Sequence, residues 1–296
     1  MNYFNQSSYL THIFRNILWL LGIPLFLVAA VFQEINALED SYVTNSEFLY
    51  SIINLFFLVV WIALKPNVTG CKVLKDTEVD FEIYHQSPDY SKITKARTIE
   101  LRKDHIISQL HVLPFPYLSQ IYHLLNLKHL ETVHGNSLSG LKVTEIHDFK
   151  STALGGSVKF KTIVSSPINI LKIWRKSTID VTLTLHSPHM VELNVPVYGD
   201  KKMIVLFKVF PFGIKTHKFL VDIYTDLPYP KFLLRSILHF AALFTIYEDI
   251  PYLKKLSGKD WDFKVTGNSI LNPTAMCLLK RFVNLYGSDL KLFQEV

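Results

Sequence analysis

Apolar residues are arranged in two ways along this chain. Near the start they are continuous: Ile13–Phe32 reads IFRNILWLLGIPLFLVAAVF with Arg15 as its one charge, and Phe48–Leu64 reads FLYSIINLFFLVVWIAL with none. A helix needs about 20 apolar residues to cross a bilayer, or about 17 at the low end. The pattern therefore predicts two transmembrane helices, at about 13–32 and 48–64. A cleavable signal peptide has a shorter apolar core and no second run just behind it. Two buried helices of a soluble domain are the other reading. Against it stand Trp19, Trp61 and the flanking lysines, which suit a membrane interface.

The charges flanking these runs set an orientation. Residues 33–47 hold Glu34, Glu39, Asp40 and Glu47 with no Lys or Arg, whereas Arg15, Lys65, Lys72 and Lys75 lie on the other sides. The positive-inside bias puts both termini in the cytoplasm and the acidic loop outside. Residues 1–66 then form a membrane anchor. Residues 67–296 form a domain on the cytoplasmic side of an integral membrane protein.

After Pro66 the period shortens. EVDFEIYHQ (78–86), ITKARTIEL (93–101) and HIISQLHVL (105–113) alternate as strands do, the last two joined at RKD. PFPYLSQIYHLLNLKHLETVH (114–134) changes to helical spacing. Six more strands follow: LKVTEIHDF, GSVKFKTIV, STIDVTLTLHS, HMVELNVPV, KMIVLFKVFPF and THKFLVDIYTD. Turn formers at Gly155-Gly156, Ser187-Pro188 and Gly199-Asp200 make them an antiparallel meander. A long helix over 229–256 comes next, with Pro251 marking a kink or its last turn, and a short one near 274–286 closes the chain. This is an α+β helix-grip pattern: a curved antiparallel sheet over a long C-terminal helix, with an apolar cavity between them for a small ligand.

Composition narrows the function classes. The chain is 49% hydrophobic with a formal net charge of +6, which suits anionic headgroups. No basic block alternates with aromatics, which argues against nucleic acid. The two cysteines, Cys71 and Cys277, form no CxxC pair and would stay reduced in the cytosol. The Asn67 sequon lies on the wrong side of the membrane to be glycosylated.

The candidate chemistry lies in LLNLKHLETVHGN (124–136). His129 and His134 are five apart, a step of about 500° on a helix, so they meet only if the helix ends between them; Gly135 is a candidate stop. HSPH (186–189) is another close histidine pair, and it reads as a hairpin turn. Glu248 and Asp249 end an otherwise apolar helix, where a carboxylate is paired, binds metal or turns to solvent as the helix exits. Two histidines and a carboxylate on one face of an ion make the facial triad of non-haem Fe(II) sites.

NLKHLETVHGN, followed about a hundred residues later by a helix ending YEDIPYL, resembles the catalytic domain of Rieske-type non-haem iron oxygenases, nearest to the ketosteroid 9α-hydroxylase and cholesterol 7-desaturase branch. The resemblance spans roughly residues 105–285 and includes the run VFPFGIKTHKFLVDIYTDLPYPKFLLRS. It implies Fe(II) held by His129, His134 and Asp249, with Asn126 orienting His129. The chain departs from the family in two ways. The cysteine–histidine pairs of the [2Fe–2S] domain are absent, so no cluster is expected here, and Asn126 replaces the bridging aspartate. The resemblance therefore implies a membrane-anchored hydroxylase or desaturase of a hydrophobic lipid or isoprenoid substrate. Its electrons would come from a separate ferredoxin- or Rieske-like protein. The alternative is a membrane-tethered lipid-binding or carrier module of the same fold without catalysis.

Overall fold

A computed structural model describes residues 15, 18–30, 45–64, 88–134, 140–164, 175–258 and 275–287. The chain divides into two compact units, Met1–Gly70 and Cys71–Val296.

In the first unit, helix α1 covers residues 18–30 and helix α2 covers Asn45–Ala63. Two tryptophans tie them together. Trp19 Nε1 donates to the Trp61 carbonyl at 2.7 Å, and Trp61 Nε1 donates to the Trp19 carbonyl at 2.8 Å. Gly22 is needed for this approach, since a Cβ there would meet the Trp61 ring at 2.2 Å. Among the described residues no helix is long and apolar enough to cross a membrane. The 19 residues of α2 open on polar Asn45, Ser46 and Glu47. At about 1.5 Å per residue, the apolar remainder falls short of a hydrocarbon core of about 30 Å. The expected transmembrane hairpin at 13–32 and 48–64 is thus not supported by the described residues.

The second unit is an α+β fold around a seven-stranded antiparallel sheet in the order β1-β7-β6-β5-β4-β3-β2. The strands are β1 His105–Leu113, β2 Leu141–Thr152, β3 Gly155–Val164, β4 Thr178–Ser187, β5 Met190–Pro196, β6 Lys202–Gly213 and β7 Thr216–Thr225. The alternation from Leu141 onward does produce the six-strand meander, and β1 joins it beside β7. Gly155 starts β3 because the backbone of β4 passes close by: a Cβ there would lie 1.9 Å from the Leu185 carbonyl oxygen.

Helix α3, Pro88–Leu101, replaces the strand expected at 93–101. Proline at the first helical position is preorganised for a helix. Arg97 then bridges Glu100 one turn on, at 2.7 Å, and reaches Glu192 of β5 with both Nε and Nη2, at 2.8 and 2.7 Å. The run EVDFEIYHQ lies outside the described residues.

The sheet has two unlike faces. Cross-strand partners share a face, so register places Gly156, Leu185, Val191, Phe207, Val221 and Gln109 in one row. Gln109 meets His239 of the long helix α6, Lys231–Ser257, at 2.7 Å. Helices α4, Tyr117–Leu125, and α7, Cys277–Tyr286, pack on this same face. The opposite face carries Leu206, Ile204 and Tyr224, which bury against Leu101 of α3.

Candidate metal centre

The long helix expected over 114–134 breaks in the middle. Asn126 caps α4 in an extended conformation, with φ −91° and ψ 94°. A four-residue helix, α5, then runs from His129 to Thr132. In one continuous helix, His123 and His129 would point about 120° apart. The break brings their rings to a centroid separation of 4.1 Å. Because α5 ends at Thr132, His134 turns back toward them, with its ring 5.3 Å from His129 and 6.3 Å from His123. Each of the three histidines offers a ring nitrogen within 4.8 Å of the others, and all three are buried.

Asp249 reaches this cluster from α6 and is 7% exposed, so it does not turn to solvent. Its Oδ1 lies 3.0 Å from His123 Nε2 and 3.2 Å from His134 Nε2. Neither contact has hydrogen-bond geometry, and Oδ1 is a buried atom without a hydrogen-bond partner. Of the expected ligands, then, His129 and His134 lie together with His123, and Asp249 meets His134 and His123.

The second nitrogens of two rings are held in place. Asn126 acts on His129 through its main chain, its carbonyl accepting from His129 Nδ1 at 2.6 Å. Its side chain donates to the Tyr252 hydroxyl at 3.2 Å and accepts the Lys128 N–H. His134 Nδ1 lies 3.2 Å from Glu248 Oε2. With the protons on Nδ1, both rings turn an Nε2 lone pair inward. Burial pushes the His129 ring well below the usual histidine value, and His123 and His134 act in the same direction. Burial also opposes charge on His134. The hydrogen bond His134 donates to Glu248 and the charges of Asp249 and Glu248 outweigh it, so its value moves up.

This arrangement fits a divalent cation. Asp249 Oδ1 is a buried acceptor with no hydrogen bond to answer it, and a cation held between it and the ring nitrogens would offset that cost. Separations near 3.0–3.2 Å also match the edge of an octahedron whose bonds are about 2.1 Å. Imidazole and carboxylate donors suit iron or zinc.

Residue type and spacing alone do not single out His123 or the part played by Glu248. His123 sits on an apolar helix and looks like an isolated polar residue. Its only signal was the crowding of three histidines into residues 123–134. The contact from Glu248 required knowing which turn of α6 faces α5.

No known protein family and no curated protein matches this chain. Among solved structures, it resembles dicamba monooxygenase bound to 3,6-dichlorosalicylic acid, at 10% identity over 64% of this chain and 58% of the other, with a TM-score of 0.49. A quaternary ammonium Rieske monooxygenase linked to carnitine oxidation by gut microbiota gives 10% identity over 70% and 55%, with a TM-score of 0.49. An 18 kDa protein from Caulobacter crescentus gives 9% over 51% and 93%, at 0.35. These are likenesses of fold at low identity. The alignment spans little more than half the length of either monooxygenase.

Proposed function

We propose that the chain is a non-haem iron oxygenase, a hydroxylase or desaturase of a hydrophobic lipid or isoprenoid. The observation that carries this reading is the buried cluster of His123, His129, His134 and Asp249, whose facing atoms lack hydrogen-bond geometry. Iron bound there supplies dioxygen activation for oxidation of a nearby C–H bond. The Asn126 carbonyl and Glu248 fix the tautomers and ring planes of His129 and His134. An apolar wall stands on the helix-bearing sheet face, where Leu193, Val205 and Phe207 stay half-exposed although they are mid-sheet. Oxidising a C–H bond yields only half of the electrons that full reduction of dioxygen consumes. Two isolated cysteines provide no cluster to store the rest, so a separate ferredoxin- or Rieske-like protein is part of the proposal.

Attachment to a membrane, with the catalytic unit on the cytoplasmic side, is also proposed. Support comes from apolar side chains that stand open in the first unit, among them Leu25 at 71% and Phe56 at 61% exposed.

The deciding measurement is metal content after anaerobic loading with Fe(II) or Zn(II). One iron retained, lost in His134→Ala, with oxidation of an apolar substrate that requires an added ferredoxin-like donor, is the expected result. A chain that takes up no iron, and binds a lipid equally well before and after His134→Ala, would instead be a carrier. The open apolar wall favours that second reading.

A further inference from the structure

The strongest unassigned group is Arg175, just before β4. It is 4% exposed, yet its only described bond is from Nη2 to Thr162 Oγ1 at 2.9 Å. Thr162 is itself neutral, and its hydroxyl also reaches the Ile179 carbonyl at 3.4 Å. The Arg175 Nε is buried with no hydrogen-bond partner. Among the described residues, no carboxylate lies within ion-pair distance. Burial lowers its value to about 10, which still leaves it charged at neutral pH. A buried cation held only by a hydroxyl is costly unless an anion joins it. Among the described residues the other buried Lys or Arg side chain has one: Lys208 lies 2.8 Å from Asp222.

Its position shows what the anion would belong to. Thr162 points to the helix-bearing face, in step with Val158 and Phe160. Its β4 partner is Ile179, half-exposed like Leu193, Val205 and Phe207 on that face. Its β2 partner is Val143, whose N–H donates to Glu131 of α5 at 2.6 Å, and α5 is the helix that begins at His129. The guanidinium thus binds a strand next to the one that α5 holds through Glu131, beside the half-exposed Ile179.

We infer that Arg175 is a recognition site for a carboxylate carried by an otherwise apolar substrate. The inference rests on the oxygenase reading for what becomes of that substrate, but not for its binding. One cation matches a monoanion, and the planar Nε/Nη edge of a guanidinium fits the two oxygens of a carboxylate. A phosphate dianion would bring more charge than the site neutralises.

The test compares decanoate with decanol on the detergent-solubilised full chain, using the wild type, Arg175→Met and Arg175→Lys, with iron content and melting temperature measured on each. The wild type should bind decanoate about tenfold or more tighter than decanol. Arg175→Met should erase that preference while leaving decanol affinity, iron content and melting temperature intact, and Arg175→Lys should keep part of it. Equal affinities in the wild type, or a preference that survives Arg175→Met, overturn the inference. So does an Arg175→Met chain that loses decanol binding and melts lower, since the guanidinium would then be structural. A carboxylate preference in a chain that takes up no iron sustains this inference and sinks the oxygenase reading. Iron uptake without the preference does the reverse.

Discussion

The two faces of the sheet bury polar groups in opposite ways. On the α3 face, charges are paired: Glu192 accepts from Arg97 and lies 2.9 Å from His186. On the same face, Asp222 lies 2.8 Å from Lys208 and accepts from Ser108 at 2.5 Å, with His105 next in line. On the helix-bearing face, polar groups are left open. Among the described residues, the buried side-chain atoms without a hydrogen-bond partner, His147 Nδ1 apart, belong to that face, to helices on it or, for Arg175, to a side chain bonded to it: Ser119, Gln120, His123, Arg175, His217 and Asp249. Paired groups hold a fold together, whereas unpaired buried ones are kept at a cost and mark where something else binds. The same chain thus uses burial for stability on one side and for chemistry on the other.

The sharpest way to break this comparison is to remove one group from each face. His134→Ala or Asp249→Ala should weaken iron binding more than about 100-fold, beyond the roughly 10–100-fold loss typical of a supporting residue. Metal-free stability should hold or rise. Asp222→Ala strands the buried Lys208 and should cost about 3–5 kcal/mol in denaturant titration, with iron per folded molecule unchanged. Equal stability losses from both substitutions would dissolve the distinction.

Smaller changes refine it. Glu248→Gln should weaken iron binding about 10–100-fold by loosening His134, without moving the melting temperature.

The two faces should also respond to acid in different ranges. Burial lowers His111 and His217, on the helix-bearing face, to about 4. The unfolded chain takes up those protons first, so the stability these rings contribute is present above about 6.5 and lost as pH falls toward 4. Glu192 is opposed by its own burial, but His186 and Arg97 outweigh that and lower it to about 2. Its contribution is present above 4.5 and lost only as pH falls toward 2. Hydrogen exchange should therefore quicken in β1 and β7 before α3 loosens. The smallest effect is expected from Asn126→Asp. The residue holds His129 by its main chain, so iron affinity should change by less than about threefold.

The sheet was the most legible part of the sequence, because alternation is local: each strand from LKVTEIHDF onward shows its two faces within its own residues. α3 was not legible. Ile93, Thr94, Thr98 and Ile99 give ITKARTIEL a strand-like look, and what holds it as a helix includes Glu192, 95 residues beyond Arg97. The site was legible in part. His129, His134 and Asp249 could be read from type and spacing, but His123 joins them only because the chain breaks at Asn126 and α6 lies across the break.

That β1 pairs with β7, at the end of the meander, has a consequence in time. During synthesis β2 to β7 can zip up in order, each strand onto the one before. β1 waits about a hundred residues for its partner, and long-range closure of this kind is slow. The segment just behind β1 carries His123, His129 and His134, so it emerges from the ribosome early with no sheet to dock on. Asp249 arrives later still, on the helix after β7. The centre is therefore among the last parts to assemble, and the metal is expected to enter a nearly complete protein, not a nascent one.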